Sequence, residues 1–291
     1  MLTLVFLSFH SEHHIRRLVK SIDSKYPIII IENSANKKLK NELENLYDNV
    51  TVEICEENLG FSKGMNLGIK LSRTPFVFIN PADISISNDA LDSLIEVIQN
   101  FKSFGMLSPA YKDRSIHSNY QIWKNNKKDE DILISNRKIK LKEVDFIDGT
   151  IILNKKIIND IVFDEKIFIY FETMDLCKRL SDNKIKMYAT DEITFEHFGG
   201  QSHDKKYDHQ ANLSRNWHYN WSKFYYYNKH NNFFYALKKV IPNLKKSLFG
   251  LLKNYFKDEI KKELHLAELS GLISSILKKK SSYRPYKKNE F

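Results

Sequence analysis

In the segment FIYFETMDLCKRL, Phe168 to Leu180, Glu172 and Asp175 stand three residues apart at the start of an amphipathic period. Residues at that spacing share one face of a helix, so the two carboxylates can serve one pocket. A carboxylate so placed is a candidate general base for a hydroxyl. Acids in a first helical turn also suit the helix dipole without doing chemistry, and the pair alone does not separate the two readings. A second cluster is ENLGFSKGMNLGI, with Asn58, Gly60, Gly64, Asn66 and Gly68 around an expected loop-to-helix junction. Glycines there let backbone N–H groups approach a ligand, and a helix N-terminus favours phosphate. The spacing is neither GxGxxG nor a Walker P-loop, and an ordinary glycine-rich turn has the same composition.

The elements that must position these groups alternate in character. Apolar LTLVFL, PIIII, VTVEI and PFVFI are separated by helical periods from Ser11 to Ile22, from Ala35 to Tyr47, after Gly60, and over ALDSLIEVIQNF. Short apolar strands alternating with helices predict an α/β fold with a parallel-rich sheet covered on both faces. Ligands of such sheets bind beyond the carboxyl ends of the strands. Those ends are marked by Phe9–His10, Glu32–Asn33–Ser34 and Asn80–Pro81–Ala82–Asp83. The polar stretch from Tyr111 to Glu143 reads as an irregular insertion with a hairpin, and VDFIDGTIIL as a strand broken at Gly149. Beyond Tyr207 aromatics crowd NWHYNWSKFYYYNKHNNFFYAL, and helical Leu/Lys periods continue to about Lys280.

With 291 residues, 42% of them hydrophobic and 28% charged, the chain can bury a large core, which excludes a disordered class. Its apolar runs fall well short of the roughly 20 residues that cross a bilayer. The start, MLTLVFLSFHSEHH, has no basic leader region or small-residue cleavage site and reads as a first strand, so a cytoplasmic location is expected. Cys55 and Cys177 lack metal-ligand spacing, and no disulfide framework is expected of them. Residues 238–291 carry fourteen Lys or Arg against five Asp or Glu, most of the net +10 charge. Such a tail suits an anionic surface, membrane or nucleic acid, or is a plain solvated face.

Taken in order, IIENS, NLGFSKGMNLG, FINPAD, YFETMDLCKRL and FEHFGGQS resemble the inverting family 2 glycosyltransferases, especially the rhamnosyltransferase-like bacterial branch that builds surface polysaccharides. The resemblance runs from about residue 2 to residue 203. It implies a GT-A-like nucleotide-sugar-binding sandwich over residues 1–208, followed by a helical, basic C-terminal extension over 209–291. The activity implied is transfer of a sugar from a nucleoside-diphosphate donor to a hydroxyl of a growing glycan, with rhamnose favoured and a lipid-linked acceptor expected. An inverting transferase needs one carboxylate to deprotonate the acceptor, and either a divalent cation or protein donors to stabilise the departing diphosphate.

Carried onto this chain, the resemblance makes Asp175 and Glu172 the candidate catalytic acids. Glu32 would face the nucleotide base, and Asn58, Gly60, Asn66, Asn80 and Asp83 would line the donor. Asp83 and His197 would hold Mn2+ or Mg2+. Asp148 and Gly149 would precede the acceptor side. Two positions depart from the family pattern. Thr173 stands where relatives commonly have the second acid of Glu-Asp-x-Asp, which leaves Asp175 or Glu172 as base. Asn80-Pro81-Ala82-Asp83 displaces the usual metal carboxylate by one residue. Trp217, His218, Trp221 and Tyr225–Tyr227 form either a sugar-stacking or interfacial platform or a helical core. The expected partners are a nucleotide sugar, a glycan acceptor and an anionic membrane surface at the inner face of the cell membrane, not nucleic acid, with homo-oligomerisation left open. The rival readings are a transferase-fold module that binds glycan without turnover, which Thr173 and Ala82 keep alive, and a basic nucleic-acid-binding protein.

Overall fold

The computed structural model describes residues 1–82, 84–112, 118–135, 137–197 and 207–284. It falls into two compact units, one of Met1–Leu59, Lys63–Phe163 and Thr173–His203, the other of Gly60–Ser62, Asp164–Glu172 and Asp204–Phe291. In the first half strands and helices alternate: β1 (Leu2–Ser8), α1 (Glu12–Ser21), β2 (Ile28–Glu32), α2 (Lys37–Leu46), β3 (Val50–Ile54), α3 (Gly60–Leu71), β4 (Phe76–Ile79), β5 (Ile84–Ser85) and α4 (Asn88–Asn100). There follow β6 (Met106–Lys112), β7 (Tyr120–Gln121), β8 (Glu130–Ile134), β9 (Arg137–Glu143), β10 (Phe146–Ile147), β11 (Ile151–Asn154), α5 (Lys155–Ile158), α6 (Glu172–Asp182) and β12 (Met187–His197).

Among the described residues the main sheet runs β3-β2-β1-β4-β11-β6-β12-β9-β8, with β5 on β12. Its first four strands are parallel, which brings their carboxyl ends to one edge. The other half is mixed: β11 lies antiparallel between β4 and β6, and β9 antiparallel on β12. The hairpin expected within the Tyr111–Glu143 insertion is β8–β9, which joins the sheet, and β7 pairs with β10 in a small ribbon. The run Ile28–Ile31 is buried throughout because helices cover both faces of its strand. Asn36 and Ser87 cap α2 and α4 by accepting from Leu39 N and Ala90 N. Helix α3 comes unusually close to β1, since a Cβ at Gly64 would lie 2.6 Å from Leu7 Cδ1 and one at Gly68 2.3 Å from Val5 Cγ1. Both cysteines are free and buried, and burial pushes the Cys177 thiol up to about 12 and the Cys55 thiol up to about 11.

The second unit is built on α7 (Asp208–His230), α8 (Phe233–Asn254) and α9 (Glu259–Ile276). Leu213, Trp217 and Trp221 of α7 pack with Ala267 of α9 and with Tyr283. His218 is fully buried, stacks on Phe168 at 4.2 Å, and is pushed by burial down to about 3. It is therefore neutral, with Nε2 donating to Tyr283 O at 2.9 Å and Nδ1 accepting from Ser281 Oγ at 2.8 Å. Of the two readings of the aromatic run, the core is the one the structure shows for Trp217, His218, Trp221 and Tyr226.

Candidate active site

At the carboxyl end of β2 the Glu32 side chain is fully buried. Its Oε1 accepts from Ser34 N at 2.7 Å and from Ser34 Oγ, while Oε2 is buried with no hydrogen-bond partner among the described residues. A buried carboxylate oxygen without a donor is costly, and a donor supplied by a ligand would relieve that cost. The half-exposed Phe9–His10 turn lies beside it, with His10 N donating to Ser34 Oγ at 3.4 Å and His10 held at a positive φ of 51°.

Asn80, at the end of β4, is also fully buried. Its Nδ2 donates to Pro81 O at 2.8 Å, and its Oδ1 accepts from Thr150 Oγ1 at 2.5 Å. The chain continues: Tyr111 OH donates to Thr150 Oγ1 at 2.9 Å and accepts from Thr150 N, while Tyr111 N donates to Asn119 Oδ1 at 3.2 Å. Gly149, at φ 75°, completes this corner, because a Cβ there would lie 1.9 Å from Tyr111 OH. Asp148 is exposed, and its carboxylate accepts from Gly149 N at 2.9 Å. The Asn80 amide therefore shapes the Pro81–Ala82 loop and the Asp148–Gly149 turn from within the protein. Asp83 lies outside the described residues. Strand register sets the backbone of His197 opposite Ile84, the residue after Asp83 in sequence.

The glycine-rich segment serves protein contacts. Gly60 adopts φ 74°, and a Cβ on it would fall 2.4 Å from Phe168 Cδ2 and 2.5 Å from Phe168 O. Phe61 N donates to that carbonyl at 2.7 Å. Asn66 clasps the backbone of Phe163, donating from Nδ2 at 2.9 Å and accepting at Oδ1 at 3.0 Å. Asn58 is half-buried in the loop after β3. Gly60, Gly64 and Gly68 thus allow close packing against Phe168, Leu7 and Val5 respectively.

Helix α6 begins at Glu172, directly after Tyr170 and Phe171, whose φ values of 67° and 65° place two consecutive non-glycine residues in the left-handed region. Such strain is found where the chain must hold a particular entry into a helix. Glu172 is half-buried. Asp175 is fully buried, and its Oδ2 accepts from Arg179 Nε at 2.7 Å, while Arg179 Nη2 donates to Val162 O at 2.5 Å. Two residues further in the same helix, Cys177 Sγ donates weakly to Ile147 O at 3.7 Å, tying α6 to β10. The two acids of the opening segment thus differ sharply in setting. Sequence reasoning missed Tyr111, Asn119 and Thr150, whose partners lie as far as 70 residues away and follow no local pattern. Among the described residues no three His, Cys, Asp or Glu side chains converge as a cation site.

The model of the family described as glycosyl transferase family 2 matches residues 3–162, more than half of the 291-residue chain. No curated protein sequence matches. The fold is similar to that of the mannosyltransferase PcManGT from Pyrobaculum calidifontis in complex with GDP-Man and Mn2+, at a TM-score of 0.56 and 9% identity over 96% of this chain and 88% of that one. It is also similar to Staphylococcus aureus TarS 1-349, at 0.53 and 13% identity over 94% and 80%, and to the same protein in complex with UDP, at 0.52 and 13% identity over 94% and 89%. At these identities the likeness is one of fold, a GT-A-like α/β domain with helices at its C-terminal end. The extent of the family match makes this chain a member of glycosyl transferase family 2.

Proposed function

We propose that the protein is an inverting transferase that moves a sugar from a nucleoside diphosphate to a hydroxyl of a growing glycan. In this reading residues 1–208 are the catalytic domain and residues 209–291 the extension that holds it near its acceptor. The observation that carries it is the edge where β1, β2, β3 and β4 end together within the family-matched segment. There Glu32 keeps a buried oxygen without a donor among the described residues. A base bearing an imide N–H, such as uracil, thymine or guanine, supplies that donor once the Phe9–His10 turn opens. The structural neighbours with GDP-Man and with UDP support such a donor. The branch resemblance favours rhamnose as the sugar and a lipid-linked precursor as the acceptor.

Glu172 is the base in this proposal. Asp175 is fully enclosed and already neutralised by Arg179, so it holds the helix start in place and does not meet a substrate hydroxyl. Asp83 and His197, one carboxylate and one imidazole, would hold a divalent cation in this proposal, by donor chemistry alone. Bound there, Mn2+ or Mg2+ would offset the charge that develops on the leaving diphosphate.

Glu172→Gln is expected to lower kcat by about 10²–10⁴ with donor affinity unchanged. Asp175→Asn is expected instead to destabilise the fold by about 2–3 kcal/mol, somewhat less than a fully buried pair would lose because Arg179 is part-exposed. Turnover assays and denaturant titrations on both variants check this, and a stable, inactive Asp175→Asn would reverse the assignment. A protein that binds nucleoside diphosphates and glycans but never turns over would be the degenerate module. Asp83→Ala should weaken nucleoside-diphosphate binding about tenfold or more with Mn2+ present and little in chelator, as loss of a metal ligand requires. Equal weakening in both, measured by calorimetry, would remove Asp83 from the cation site.

No helix among the described residues is long and apolar enough to cross a membrane. Helix α8 and the turn after it nevertheless expose Phe234, Phe249, Leu252 and Phe256 by 71–94%, among the exposed Lys245, Lys246, Lys253 and Lys257. Apolar side chains between lysines suit peripheral docking on an anionic bilayer, where each lysine adds about 1 kcal/mol. Sedimentation with phosphatidylserine-containing liposomes should show salt-sensitive binding that falls at least about fivefold in Phe249→Ser/Phe256→Ser. Equal binding to neutral liposomes, or no loss in the double variant, would leave the tail without a membrane role.

A further inference from the structure

Trp123 combines exposure with rigidity. The residue is 58% exposed, whereas Trp217 and Trp221 are each 3% exposed. One face of its indole is stacked on Phe146, with ring centroids 6.0 Å apart and planes within 9° of parallel. Its Nε1 donates to Gln121 Oε1 at 2.8 Å, and its backbone N donates to Asp145 Oδ2 at 2.7 Å. Asp145 is itself pinned by Lys127 Nζ at 2.8 Å and by Lys124 N at 3.0 Å. Gln121 and Phe146 are cross-strand partners in the β7–β10 ribbon. A large ring is thus fixed in orientation with an open surface and an exposed amide beside it, an arrangement that core packing does not need. Rings held in this way bind with little loss of side-chain entropy.

The ribbon leads straight to the site. Ile147 of β10 accepts from Cys177 of α6, Asp148 N donates to Asn119 O at 2.8 Å, and Thr150 reaches Asn80. The apolar surface on offer is small: Ile122 and Trp123 are the large exposed apolar residues of the stretch, and KKDED follows within a few residues. One tryptophan contributes about 150–250 Å², far below the roughly 800 Å² per partner of a stable protein interface. One ring with a neighbouring amide matches one pyranose, whose C–H face stacks on the indole while its hydroxyls bond to the rim. Resting on the transferase reading above, we infer that Trp123 is the stacking platform for a sugar ring of the acceptor glycan, with Gln121 as its polar neighbour.

The test uses the full chain on a printed array of bacterial surface oligosaccharides, followed by titration in solution with the oligosaccharides it retains. Trp123→Ala should bind them about tenfold or more weakly, Trp123→Phe within about threefold, and bound oligosaccharide should protect the wild-type protein from iodide quenching of tryptophan fluorescence. The other two tryptophans are buried, so quenching reports Trp123. A wild-type chain that retains no array oligosaccharide would overturn the inference, as would oligosaccharides that neither protect the indole nor lose affinity with Trp123→Ala. Should Trp123→Ala fail to fold, protection of the wild-type indole decides alone. UDP, GDP and dTDP binding in the same preparations should be equal in all three proteins. Failure of every nucleotide to bind counts against the transferase reading, whereas intact nucleotide binding without indole protection counts against the platform.

Discussion

A buried chain of hydrogen bonds from Asn119 through Tyr111 and Thr150 to Asn80 is the constraint on which this molecule's working edge depends. Each member is largely enclosed, and each side-chain oxygen in the chain has a partner in another segment. Successive donors polarise one another, and loss of any one would leave its neighbours buried and unmet, at about 1–3 kcal/mol each. Because Asn80 ends β4, Thr150 opens onto β11, and Tyr111 lies on β6, the chain locks three strands at the same end. The Pro81–Ala82 segment and the Asp148–Gly149 turn inherit their shape from that lock. A site that must hold a charged donor against water needs such rigidity before any ligand arrives.

Buried and half-buried acids are handled in three ways. Asp175 is deep, paired with Arg179, and further anchored through Val162 O. That arrangement stabilises a helix start, and it is the reason the proposed mechanism does not use Asp175 as the base, since proton transfer requires contact with the acceptor hydroxyl. Glu172 keeps partial exposure at the head of the same helix, following two residues held at positive φ. The proposed mechanism gives the base role to this half-buried acid in preference to the fully enclosed Asp175. Glu32 is a third case, a buried carboxylate with one oxygen engaged by Ser34 and the other without a hydrogen-bond partner among the described residues. Hydrogen-bond demand of that kind discriminates between ligands more strongly than apolar contact does, since the wrong ligand leaves two lone pairs facing each other.

Much of the architecture was legible in the chain because local physics dictates it. Continuous apolar runs such as Ile28–Ile31 can only be strands buried on both faces, and the alternation with amphipathic helices gives the parallel half. The mixed half was not legible. Nothing in VDFIDGTIIL or IKMYA says that β11 inserts antiparallel beside β4 or that β12 runs beside β6, since both depend on contacts distant in sequence. The glycines of NLGFSKGMNLG left a ligand cradle and an ordinary turn equally open in the sequence, and their contacts with Val5, Leu7 and Phe168 were not legible there, because a missing Cβ serves close backbone packing as readily as ligand approach. Asp175 and Arg179 stand at i, i+4 in the sequence, so their ion pair was available to inspection. Its complete burial was not. Trp123 sits in a polar stretch with no periodicity, where only the fold reveals that Phe146 lies beneath its ring.

The central claim, that this edge receives a nucleoside diphosphate whose base completes the hydrogen bonding of Glu32, is most directly tested by calorimetric titration of the wild-type protein with UDP and with CDP. The two ligands carry the same ribose and diphosphate and differ at the edge where uracil presents an N–H and cytosine a lone pair. The account predicts that UDP binds about 100-fold more tightly than CDP, the order of penalty expected when a buried acceptor is left facing an acceptor. Equal affinities for the two, or tighter binding of CDP, would contradict it.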